Sequence, residues 1–146
     1  MDAMSLLKED HRKVKKMLAE LESTTERGVK TREELFTRLK QELVVHEAIE
    51  EEIFYPALKE HPKTKEIALE GYEEHHVVDT VMAEIEGVAY DDEKWGARFT
   101  VMKENLEHHI EEEEGEMFKQ ARQVFDDAEL EDLGNRMEMR KKELQA

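Results

Sequence analysis

The sequence has no cysteine, which excludes disulfides, iron–sulfur clusters and thiolate zinc sites together. Proline occurs twice and glycine six times in 146 residues, so helix breakers are sparse and no glycine-rich phosphate loop is present. No apolar run approaches a membrane span, and Met1 to Asp10 shows no basic start followed by an apolar stretch; the expectation is a cytoplasmic protein without a membrane partner. Basic residues are outnumbered 22 to 38, for a net charge of -16. Nucleic acid is not expected as a partner, because its phosphates would be repelled over most of that surface. The local exception, Arg12-Lys13-Val14-Lys15-Lys16, reads as a solvated helix face.

What remains describes a helical chain of one domain, residues 1–146, with a core large enough to fold without staples. A first helix is expected from near Met4-Ser5 to about Glu22, with Leu7, His11, Val14, Leu18 and Leu21 on its apolar stripe. Thr31 and Glu34 form a capping-box pattern ahead of a second helix whose stripe is Leu35, Leu39, Leu43, His46, Ile49, Glu50, Ile53 and Ala57, ended by His61-Pro62. A third spans about Thr64 to Glu86, with Gly87 as its stop, and a fourth about Glu93 to Arg122. A short fifth, from Ala128 to about Leu144, carries Leu130, Leu133, Met137 and Leu144. Short connections between the long helices predict an all-α, antiparallel up-down four-helix bundle with an extra C-terminal helix. No internal repeat is evident.

Four histidines stand out because each interrupts the apolar stripe of a different helix: His11, His46, His75 and His109. Two are followed one turn later by a glutamate, in His46-x-x-x-Glu50 and His109-x-x-x-Glu113, so that imidazole and carboxylate share a face. Neighbours compete on the third and fourth helices. His76 lies beside His75 but shares its row with Leu69, Tyr72, Asp79 and Ala83, a less continuous stripe; His108 and Glu112 share theirs with Val101, Asn105 and Gly115. Burying such groups is costly unless they pair or bind a cation, and mixed His/carboxylate sets suit iron, manganese or zinc. Six inward groups suit a carboxylate-bridged pair of ions better than a single one, with iron first and manganese or zinc behind it. Tyr55 reads as a boundary residue with its hydroxyl near water, with ferric coordination as the alternative, and His61 reads as an exposed loop residue.

Other chemistries fit less well. Only Glu73-x-x-His76 has the ferritin-like spacing, no His-Glu-x-x-His zincin motif is present, and neither an EF-hand loop nor a serine elbow can be found. Along nearly its whole length, however, the chain resembles the hemerythrin-like, HHE cation-binding family. The resemblance is carried by Asp10-His11-Arg12, His46-Glu47-Ala48-Ile49-Glu50 through Pro56, Glu74-His75-His76 and His109 through Phe118. It implies a bundle holding two iron ions, oxo- or hydroxo-bridged, with His11, His46, Glu50, His75, His109 and Glu113 as ligands. Oxygen carriers of that family have a second histidine four positions after the third-helix ligand, where this chain has Asp79. The expected function is thus binding of, or redox reaction with, dioxygen, peroxide or nitric oxide, including catalase-like peroxide turnover. The alternative is a non-enzymatic iron or oxygen sensor or store that signals through the fifth helix. A monomer or weak homodimer is expected.

Overall fold

Four of the long helices, all but the second, start where a side chain or a missing N–H deals with the unpaired amides of a first turn. Asp2 accepts the Ser5 N–H at 2.9 Å to open α1 (Ala3–Glu22). Gly28 precedes α2 (Val29–Ile49), which therefore begins before the expected Thr31 cap. The cause is tertiary: buried Arg32 donates to the Tyr90 and Thr24 carbonyls and lays its guanidinium over the Trp95 ring, fixing one more turn as helix. Pro62 occupies the first turn of α4 (Pro62–Glu86), where its missing N–H costs nothing. Asp92 caps α5 (Glu93–Glu112), and Asp126 with Glu129 forms a complete capping box at α7 (Asp127–Gln145).

The computed structural model describes residues 1–146 and is an all-α helical bundle. No helix is long and apolar enough to cross a membrane. Two of its rods are interrupted by wider turns that the sequence reading treats as continuous α-helix. These are π1 (Glu50–Phe54), between α2 and α3 (Tyr55–Lys59), and π2 (Glu113–Met117), between α5 and α6 (Phe118–Val124). In the first, Tyr55 N–H donates to the Glu50 carbonyl; in the second, Phe118 N–H donates to that of Glu113. Each insertion moves the buried face on by one residue. Phe54, Tyr55 and Leu58 are therefore buried after Glu50, while the expected Ile53 and Ala57 are only partly covered. Pro56 lies just past π1, where it has no N–H to give the preceding turn, and the Tyr72 hydroxyl donates to the Glu51 carbonyl at 3.1 Å.

The apolar core is split. One cluster joins Leu7, Ile49, Phe54, Leu58, Phe118 and Ala121 to the buried face of α7; the other joins Val14, Leu18, Leu39, Val78, Ile85, Trp95 and Met102. Along α1, α2 and α4 the candidate histidines fall between residues of the two clusters, and on α5 His109 lies near the end of one cluster, ahead of Met117 of the other in π2. Helix α7 lies against α1, α2 and π1, with Leu130, Leu133 and Met137 buried but Leu144 exposed, contrary to its expected place in the stripe. His61 also departs from expectation, being partly buried edge-on against Phe125 at 5.2 Å.

The close seat of α7 depends on Gly134, where a Cβ would collide with the backbone of Met1, Asp2 and Ala3. We expect Gly134→Ala to cost about 1–3 kcal/mol by overpacking. Gly96→Ala, whose Cβ meets open space, should instead gain up to about 1 kcal/mol from helix propensity. Thermal melts of the two variants check this; a Gly134→Ala protein that melts with the wild type contradicts the docking of α7.

Candidate metal centre

Between the two apolar clusters the bundle buries the six candidate ligands His11, His46, Glu50, His75, His109 and Glu113, with Asp10 and Glu47 buried beside them. Glu50 Oε1 lies 3.1 Å from His46 Nε2 and 3.0 Å from His75 Nε2. Glu113 lies 3.1 Å from His11 Nε2 through Oε1 and 3.3 Å from His109 Nε2 through Oε2. All four rings thus aim Nε2 at a pair of carboxylates. Competing neighbours fall elsewhere. His76 is exposed, and His108 stands on the surface 3.2 Å from Glu112.

An outer ring of carboxylates, which the sequence reading did not identify, fixes the imidazoles. His11 Nδ1 meets Glu114 at 2.6 Å, His46 Nδ1 meets Asp10 at 3.0 Å, His75 Nδ1 meets Glu51 at 2.7 Å and His109 Nδ1 meets Glu74 at 2.7 Å. A carboxylate on Nδ1 keeps the proton there and leaves the Nε2 lone pair facing inward, the tautomer a metal requires. These contacts also expose a repeat hidden in the sequence. Asp10-His11 with His46-x-x-x-Glu50-Glu51 matches Glu74-His75 with His109-x-x-x-Glu113-Glu114, contact for contact. The His11–His46 and His75–His109 rings even share a centroid separation of 4.9 Å and interplanar angles of 65° and 67°.

Tyr55 corrects the boundary reading. It is fully buried, and its hydroxyl donates to Glu113 at 2.7 Å with His75 Nε2 at 3.3 Å. The turn π1 brings Tyr55 under Glu50, and Gly71 leaves the space, since a Cβ there would come within 2.8 Å of the ring. Asp79 does not join the cluster. It is exposed, and together with burial it pushes the covered Glu47 carboxyl up to about 10. Glu47 and the four histidine rings line, with Val14, Leu43, Val78, Leu106 and Ile110, a cavity of about 10 Å³, room for about one water-sized molecule.

Unpaired atoms test whether this set suits a cation. Six buried side-chain nitrogen or oxygen atoms in the chain have no hydrogen-bond partner, and five are here: His11 Nε2, His46 Nε2, His109 Nε2, Glu50 Oε2 and Glu113 Oε1. Orphaned lone pairs facing one another at ligand-like spacing, within two groups that share Glu50, fit a resident metal. The sequence profile of the hemerythrin HHE cation binding domain matches residues 2–121. The chain belongs to the hemerythrin HHE cation-binding family. A solved HHE cation binding domain-containing protein from Mycobacterium kansasii is 27% identical, with a TM-score of 0.89 over 99% of this chain and 88% of that one. Among curated proteins, none matches the sequence. For this HHE chain, family and geometry together suggest metal binding.

Two outcomes follow. His109→Ala and Glu113→Ala should lose half or more of the bound metal while His108→Ala and Glu112→Ala keep it, with the same contrast for His75 against His76; elemental analysis after loading decides, and the reverse pattern would place the site on the surface.

The second concerns the metal-free protein. Burial disfavours the imidazolium ions, yet the carboxylates outweigh it, raising His46 and His75 above the ordinary 6.5 and His109 to about 10. Their contribution is complete below pH 6.5 and is lost as pH rises through those folded values. Burial would raise Glu113, but the close approach of Glu50, His109 and His11 holds it well below its usual 4.5, so its contribution is lost in acid. Glu47 weakens the fold from about 4.5 upward. The metal-free melting temperature should peak toward the acid end of the window between pH 4.5 and 6.5, and a profile flat into alkali contradicts the pairing.

Proposed function

We propose that this HHE chain holds two iron ions between Glu50 and Glu113 and uses them to bind or react with dioxygen, peroxide or nitric oxide. The observation that carries the reading is the convergence of four Nε2 atoms on two fully buried carboxylates, with Glu50 Oε2, Glu113 Oε1 and three of those nitrogens lacking a hydrogen-bond partner. His11 and His46 would serve one ion, His75 and His109 the other, with Glu50 shared. Iron is favoured over manganese and zinc because a mixed imidazole–carboxylate set holds both ferrous and ferric states. The order in which the two apolar clusters appear along α1, α2, α4 and the continuous rod of α5, π2 and α6 reverses from each to the next, which supports an antiparallel up-down bundle. The whole of 1–146 would act as one unit.

The bound ions would supply one-electron redox chemistry and sites for small anionic or diatomic ligands. The chain's own residues do the rest. Asp10, Glu51, Glu74 and Glu114 hold the Nδ1 protons; the Tyr55 hydroxyl, which burial and the Glu113 and Glu50 charges keep protonated, steadies Glu113. Glu47 retains a proton on the wall of the cavity at neutral pH. The cavity itself, lined half by apolar residues, has room for about one water-sized molecule. Catalase-like turnover would convert two molecules of peroxide into two of water and one of dioxygen. A non-enzymatic sensor or store is the second reading, favoured by the contact of Lys141 on α7 with Asp10 beside the cluster.

Anaerobic ferrous loading followed by elemental analysis should give about two iron ions per chain, and added peroxide should evolve dioxygen repeatedly in the wild type but not in Glu50→Ala. One ion per chain, or zinc retained over iron in competition, overturns the di-iron reading. Two ions with no response to peroxide or nitric oxide would leave the sensor or store.

A further inference from the structure

The four outer carboxylates do the same job but do not share the same surroundings. Glu51, Glu74 and Glu114 have side chains 37%, 30% and 30% exposed, so water can satisfy the lone pairs that their histidines do not use. No lysine or arginine lies within the 4.0 Å ion-pair range of any of the three. Asp10 is different. Its side chain is 1% exposed, with Oδ2 on His46 Nδ1 and Oδ1 on Lys141 Nζ, which is itself only 17% exposed. A buried carboxylate needs both of its oxygens partnered, and here the second partner comes from α7, a helix that contributes nothing else to the cluster. The matching position in the other half of the repeat, Glu74, is faced instead by Glu112 and His108 near the surface and has no lysine or arginine.

We propose that Lys141 is a positioning residue for one of the two cation positions: through Asp10 it fixes the His46 ring, and so holds the ion at the His11/His46 end while leaving the His75/His109 end untouched. The inference rests on the two-cation reading given above. Lys141 donates to Oδ1 and so fixes the carboxylate with Oδ2 on His46 Nδ1. Take the ammonium away and one oxygen of a buried carboxylate has no partner. The carboxylate then swings toward water and lets go of His46. Partners of this kind typically change metal affinity by about 10–100-fold. The loss should fall on one ion of the pair, because no contact links Lys141 to the other half.

The test uses the full chain loaded anaerobically with ferrous iron, then stripped with an excess of a ferrous chelator. In Lys141→Met, about one ion per chain should leave tenfold or more faster than in wild type, with the other ion leaving at the wild-type rate. Lys141→Arg should restore slow release. Arg140→Gln, which removes the neighbouring contact of α7 with Glu52 (3.1 Å), should not accelerate it, separating positioning from simple docking of the helix. A second readout needs no metal. The hydrogen-bonded His46 Nδ1 proton, seen by nitrogen-15 edited NMR of the metal-free protein, should be lost in Lys141→Met and recovered in Lys141→Arg. If methionine unseats α7, judged by circular dichroism, Lys141→Gln replaces it in both measurements. A wild type that loads only one ion overturns the two-cation reading and this inference with it. Two ions in the wild type, with Lys141→Met releasing both at the wild-type rate and keeping the His46 signal, overturns the inference alone.

Discussion

Two carboxylates sealed inside a helical bundle are the constraint on which the rest of the structure depends. Glu50 and Glu113 have no water to solvate them, and a buried anion is tolerated only where cations or hydrogen-bond donors surround it. Four imidazoles provide that surround, and four outer carboxylates turn each imidazole the right way. Much of the architecture then follows. The apolar core divides into two clusters because a polar layer must pass between them, and both wide turns begin at the buried glutamates themselves. A π turn at such a position is a common device at functional sites. Here it advances the helix by one residue, so that Tyr55 reaches Glu113 and Phe118 packs on Phe54 while the apolar face continues beyond.

The same arrangement is made twice, once by α1 with α2 and π1 and once by α4 with α5 and π2, and the two halves differ at a few positions. Tyr55 has Phe118 as its counterpart, so one half places a hydroxyl against Glu113 where the other places a bare ring. Asp10 is buried and backed by a lysine, whereas Glu74 is half open to water. Two positions built from one pattern are thereby given different electrostatic surroundings.

The helices and the inward histidines were legible in the sequence because each rests on helical periodicity, which survives without knowledge of the partners. His75 could be told from His76, and His109 from His108, by the apolar company of its row alone. What periodicity cannot carry is contact between helices. Asp10, Glu51, Glu74 and Glu114 each sit beside a cluster residue, on a part of the helix that looks solvated, and only the neighbouring helix gives them an imidazole to hold. The repeat escaped notice for the same reason, since its conserved positions are a handful scattered through unlike surroundings. The π turns were missed because the stripe was projected forward at constant phase. That error moved the expected burial from Tyr55 to Ile53 and Ala57 and made Tyr55 look like a boundary residue. Tyr55 alone breaks the pattern: five residues after Glu50, it stands about 140° round an α-helix from it, so constant phase places it off the stripe that Phe54 and Leu58 continue.

The most direct test is crystallographic. An anomalous difference map collected at the iron edge from iron-loaded crystals of this protein should show two peaks per chain, both between the Glu50 and Glu113 carboxylates, one beside His11 and His46 and the other beside His75 and His109. A single peak there, or iron found only at the surface group of Glu74, His108 and Glu112, would contradict the account.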